Sequence, residues 1–174
     1  MLKRLRTDRA GFGMIELIIA LTVLNIGILA TVAALNSGAI ALQRASKLST
    51  ATAIADAQME RYRAIRYDAI MLDTTELGAD VADSTYAADS AYQTGMATGT
   101  CVSPLPLECD PVRTVAATAS PDHKPYRVDT YIVEQAPVAA SRPVKIITIV
   151  VRDGLNLSKS LVRAQSTFDE STGS

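Results

Sequence analysis

Apolar residues fill positions 17–35 almost without a break: L-I-I-A-L-T-V-L-N-I-G-I-L-A-T-V-A-A-L, interrupted only by Thr22, Asn25, Gly27 and Thr31. No charged residue stands between Glu16 and Arg44. A helix needs about 20 apolar residues to cross a bilayer core, so this run predicts a membrane-length helix. Beyond it the pattern narrows to a stripe. Leu48, Ala51, Ala55, Met59, Tyr62, Ile65, Ala69 and Leu72 recur at spacings of three and four, while Arg44, Lys47, Asp56, Glu60, Arg61, Arg63 and Arg66 fall mostly off it. No proline occurs between Phe12 and Pro104. The two parts therefore read as one helix of about 55 residues, ~80 Å long, whose outer half must pack on something outside the bilayer. Asn25, Gly27 and Gly38 are its only weak points, and each glycine costs about 1 kcal/mol.

The rest of the chain divides by pattern into two stretches. Residues 67–110 are rich in Ala, Thr, Ser, Asp and Gly and contain eight acids (Asp68, Asp73, Glu76, Asp80, Asp83, Asp89, Glu108, Asp110) with no Lys or Arg. This reads as a long solvated loop with a short helix around 80–91. Residues 112–168 read as strands. R-V-D-T-Y-I-V-E at 127–134 alternates in part, with Val128 and Ile132 against Arg127 and Asp129. K-I-I-T-I-V-V-R at 145–152 is strongly β-branched. Asp153-Gly154 marks a turn, and 161–168 returns as a strand. Pro121, Pro125, Pro137 and Pro143 punctuate the gaps. The expected fold is α+β: a long N-terminal helix whose outer half packs on a small antiparallel sheet of three or four strands. The expected divisions are a basic leader at 1–11, a core helix at 12–35, its outer half at 36–72, an acidic loop at 73–111, and the sheet with a polar tail at 112–174.

Charge sets the topology. The first ten residues carry Lys3, Arg4, Arg6 and Arg9 against Asp8, yet the whole chain has a net charge of −1. The basic leader is expected to stay in the cytoplasm and the acidic remainder to be translocated. An acidic exported domain without a basic patch gives no reason to expect a nucleic-acid partner. An ordinary secretory signal cut after Ala39-Ile40-Ala41 is the rival reading, but its apolar region would be shorter and Glu16 would have no purpose there. Cys101 and Cys109 can oxidise in an exported domain, and a structural disulfide is the expectation. Two cysteines and the distant His123 make a poor zinc site.

The residues at the head of the apolar run carry a family resemblance. Gly11-Phe12 follows the basic leader, and Glu16 completes G-F-x-x-x-E ahead of the uncharged helix. This is similar to the N-terminus of type IV prepilins and type II secretion pseudopilins. The N-I-G-I-L wording at 25–29 and A-Q-M-E-R-Y-R-A-I-R-Y-D at 57–68 most resemble minor pilins of the PilV type. The resemblance implies cleavage between Gly11 and Phe12 by a prepilin peptidase, N-methylation of Phe12, and an assembly role for Glu16. It further implies other pilin subunits and an inner-membrane assembly platform as partners. It places the chain first in the inner membrane, single-pass with the C-terminal domain outside, and then in a surface fibre. Many major pilins have a proline in the apolar half, and this chain has none.

No catalytic constellation is legible. Gly11-x-Gly13 begins like a nucleotide loop, but no strand precedes it and Glu16 stands where a third glycine belongs. The acids at 67–110 lack the ordered D-x-D-x-D-G spacing of a calcium loop. No enzyme, cofactor or metal is expected. The expected function is a minor pilin. A type II pseudopilin is the alternative, and a non-polymerising, signal-anchored binding protein is a second.

Overall fold

The computed structural model describes residues 13–135 and 142–170. Gly11, Phe12 and Pro137 lie outside the described residues. The chain divides into two compact units, Met1–Arg44 and Ala45–Ser174.

The first unit holds the apolar part of α1, a helix running Met14–Arg63. Neither Gly27 nor Gly38 interrupts it. Its apolar side chains are uncovered: Ile18 is 57% exposed, Leu24 58%, Leu29 69% and Leu35 70%. Each such side chain left in water forfeits about 1.5–3 kcal/mol of burial free energy, so the stretch calls for an apolar surround. By length and composition it can cross a membrane.

The second unit opens with the rest of α1. Ala51, Ala55, Met59 and Tyr62 face the core at helical spacing. The helix stops at Arg63, so Ala69 and Leu72 of the predicted stripe lie beyond it. A 3₁₀ turn at Tyr67–Ala69 redirects the chain and sets Ile70 and Leu72 in the core. Lys145 Nζ fixes that exit, donating to Tyr67 O (2.9 Å) and Ile70 O (2.8 Å) beneath the Tyr67 ring. Burial holds the Lys145 ammonium below its ordinary pKa.

Strand β1 (Leu72–Asp73) pairs in parallel with β2 (Thr98–Gly99), with α2 (Thr74–Asp80) and α3 (Ser84–Ala87) between them. Strands β3 (Val112–Val115), β4 (Tyr126–Gln135), β5 (Val144–Asp153) and β6 (Asn156–Asp169) form a four-stranded antiparallel sheet in the order β3-β4-β5-β6. The β5–β6 turn admits only glycine at 154, where a Cβ would lie 2.8 Å from the Pro125 main chain. The fold is thus a long helix packed on a four-stranded antiparallel sheet, as the pattern predicts.

Alternation along the strands separates two faces. Tyr126, Val128, Thr130 and Ile132 of β4 share a face with Ile147, Ile149 and Val151 of β5. This face meets α1: Tyr126 Oη, which donates to Asp122 Oδ2 (2.5 Å), lies 3.4 Å from Lys47 O, and Lys47 pairs with Asp153. Small Ala51 and Ala55 let the helix approach closely. The opposite face carries Arg127, Asp129 and Tyr131 of β4 and Val150 and Arg152 of β5. It too is buried, because the segment bearing α2 and α3 covers it.

Candidate functional site

Two regions carry the features from which function can be argued. The first is the apolar half of α1. Glu16 lies in the first turn, where the partial positive charge of a helix N-terminus favours a carboxylate. It is exposed and has no cationic partner among the described residues. Both threonines that interrupt the run are satisfied locally. Thr22 Oγ1 donates to Ile18 O (2.8 Å) and Thr31 Oγ1 to Gly27 O (2.9 Å), so neither hydroxyl needs water. Gly27 opens a shallow notch edged by Val23, Leu24, Ile28, Thr31 and Val32. Such a notch suits close packing of another helix.

The second region is the acidic segment, and here the structure departs from the expected solvated loop. Asp83 pairs with Arg127, and Asp89 with both Arg152 and Arg163 (2.7 Å to the latter). Asp129, fully buried, accepts from Arg127 Nε and Arg152 Nε at 2.6 Å each. Three arginines from the sheet thus meet three aspartates, two of which come from the segment. Burial opposes the charge on Arg127, but the carboxylates of Asp129 and Asp83 outweigh it and raise its pKa. Burial likewise opposes ionisation of Asp89, yet the Ala91 N–H and the Arg163 guanidinium hold its pKa below the ordinary value. Tyr86 plugs the same face: its ring stacks on Tyr131 at 4.5 Å, and its Oη donates to Thr130 O (2.7 Å). The short helix expected around 80–91 is α3, α2 precedes that stretch, and each is capped by an aspartate. Asp73 Oδ1 accepts from Thr75 N and Glu76 N, and Asp83 Oδ1 from Thr85 N.

Cys101 and Cys109 are joined by a disulfide, with Cα atoms 6.5 Å apart. The loop between them is tied to α1. Gln58 Nε2 donates to Leu107 O (2.8 Å) and Tyr62 Oη to Glu108 O (2.6 Å). At the loop's root, Cys101 N donates to Asp73 Oδ2 (3.1 Å). Asp73, Asp83 and Asp89 are therefore spent on caps, a loop root and arginines. Among the described residues, no group of three or more His, Cys, Asp or Glu could hold a metal ion.

The strand charges Arg127, Asp129 and Arg152 were not legible as core residues, because alternation reads them as a solvent face. One signal pointed to them. Eight acids with no base in one segment leave countercharges to be found elsewhere, and R-x-D on a strand puts an arginine and an aspartate side by side on one face.

A family model described as the prokaryotic N-terminal methylation motif matches residues 6–32. No curated protein and no solved structure matches the chain. The matched stretch contains Gly11, Phe12 and Glu16 and the start of the exposed apolar run of α1.

Proposed function

We infer that this chain, a type IV pilin- or pseudopilin-like and non-enzymatic protein whose N-terminal motif implies processing by a prepilin peptidase, works as a minor pilin of a type IV pilus. The supporting observation is the methylation motif set directly on an α1 half that is apolar on every side and uncovered. A helix greasy all round is stable only in lipid or among other helices. In this reading the leader stays in the cytoplasm and the peptidase cuts between Gly11 and Phe12. Phe12 is N-methylated, and the domain beyond waits outside the inner membrane. An assembly platform then extracts the subunit into a filament, where the apolar helices of other pilins replace lipid. Residues 1–11 are the leader, 12–35 the filament-core helix and 36–72 its outer half with the turn. Residues 73–111 form the clamped segment and disulfide loop, and 112–174 the sheet and tail. The wording at 25–29 and 57–68 favours a PilV-type subunit.

The test is to shear surface fibres and identify their chains by mass spectrometry. A chain beginning at Phe12, methylated, is the expected result. Gly11→Val should leave the full-length precursor in the membrane, because a β-branched side chain blocks close approach of a protease to the backbone. A mature start near Leu42 would instead make the apolar run an ordinary signal. Fibres that lack the chain, together with a secretion defect on its deletion, would make it a pseudopilin.

A further inference from the structure

The sheet has two free edges of opposite direction. Strands alternate across β3-β4-β5-β6, so β3 and β6 run antiparallel to one another. Two copies in the same orientation, set side by side, bring β6 of one against β3 of the next in antiparallel register. Pairing β6 with β6 would instead require a half-turn about the sheet normal, which reverses the helix packed on that sheet. A filament whose helices all point one way excludes that arrangement.

β6 has little of the usual protection of an edge. From 161 to 168 it contains no proline and a single charge, Arg163, already held by Asp89. Beside it on the helix face lies a groove of about 410 Å³ lined by Asp56, Met59, Glu60 and Arg63 of α1 and by residues 164–166 of β6. Ala164 and Ser166 are small, so the groove opens directly at the edge. Glu60 pairs with Arg63, while Asp56 has no cationic partner among the described residues.

β3 offers the complementary charge. Arg113 pairs in register with Val128, which puts its side chain on the helix face. Its Nε is buried and has no hydrogen-bond acceptor. Burial and then the nearby Arg61 charge weigh against its cation, with Asp110 opposing them. The Val112 N–H is already taken by Asp110 Oδ1 (3.1 Å), so an added strand would engage Arg113–Val115.

Resting on the filament reading, we propose that β6 of one copy adds to β3 of a second copy of this chain, head to tail, with the second copy's Arg113 entering the groove at Asp56. The register sets Arg113 opposite Ser166 and Thr114 opposite Gln165. A contact of this heterologous kind does not close on itself and propagates along a fibre. Main-chain hydrogen bonds supply the attraction, and the Arg113–Asp56 pair supplies the register.

Two variants of the full chain that each add one free cysteine, Thr114→Cys and Gln165→Cys, test this with a short bis-maleimide in membranes of cells expressing both. Thr114 and Gln165 are both exposed; Thr114 lies on the face opposite Arg113, and Gln165 stands at the rim of the groove. A cross-linked dimer is expected only when both variants are present, and a ladder when one chain carries both cysteines. Arg113→Glu should lower the dimer yield at least tenfold, and adding Asp56→Arg should restore it. Retention of the Cys101–Cys109 disulfide in each variant checks folding. A dimer formed by either variant alone, no dimer in the mixture, or no rescue by the charge swap overturns the contact. The chain recovered in sheared fibres without this cross-link overturns the contact and leaves the filament reading standing. The cross-link without the chain in fibres does the reverse.

Discussion

Two strand arginines, Arg127 and Arg152, converge on Asp129, and nothing of it is exposed. Replacing it with Asn keeps the shape and removes the charge, leaving two buried guanidiniums short of an anion. Breaking a buried ion pair from one side costs about 3–5 kcal/mol. Asp129→Asn should therefore lower the urea midpoint of the purified chain by that equivalent, whereas Asp68→Asn, at an exposed pair with Arg66, should change it little. Asp80 behaves in the opposite sense. Burial first, and then the Asp110 charge, push its pKa up to about 6. The folded state thus holds this proton more tightly than the unfolded chain, whose Asp titrates near its ordinary value of 3.8. The stability it contributes is complete below that value and is lost as pH rises through about 6. Asp80→Asn should raise the melting temperature at pH 7.5 and leave it unchanged near pH 3.5. Equal shifts at both pH values would mean that the gain does not come from the ionisation.

At the scale of elements, α1 and the three long strands were legible because their periods are set by burial: three and four on the helix, β-branched runs on β4 and β5. The apolar run and G-F-x-x-x-E also marked out the stretch that the methylation-motif model matches, residues 6–32. What pattern alone missed is the covering of the sheet's second face, since the covering segment has no stripe of its own. It is held by Asp83, Asp89 and Tyr86, residue types that a composition reading assigns to solvent or to a stray aromatic. The disulfide loop adds a further element. Its root at Asp73 and its two bonds to α1 position it without the sulfurs. Closing a loop this short contributes roughly 2–3 kcal/mol by constraining the unfolded chain. Cys101→Ser/Cys109→Ser should lower stability by about that amount while membrane insertion, which depends on α1, is unaffected. Alkylation of the native chain under non-reducing denaturing conditions should find no free thiol.

For the whole molecule, the proposed filament requires something to fix one subunit against the next, since the α1 surfaces that would meet are uniformly apolar. Dispersion and burial between such helices are indifferent to sliding, because every position offers much the same surface. Glu16 is the one charge in that stretch of α1. The positive end of the helix accounts for its tolerance at the headgroup level. It does not account for placing the acid four residues beyond the proposed cut, inside apolar sequence. A carboxylate withdrawn from water requires a partner, and cleavage after Gly11 would create one: the amine of Phe12, on the same chain or on a subunit being added. In a core free of water that attraction is strong and short-ranged enough to set the axial register. Glu16→Val removes the charge and lengthens the apolar run. It should leave cleavage at Gly11 and membrane insertion normal and sharply reduce the chain recovered in sheared fibres. Wild-type recovery would reduce Glu16 to a residue that starts a helix, and an uncleaved precursor would place its role in recognition by the peptidase.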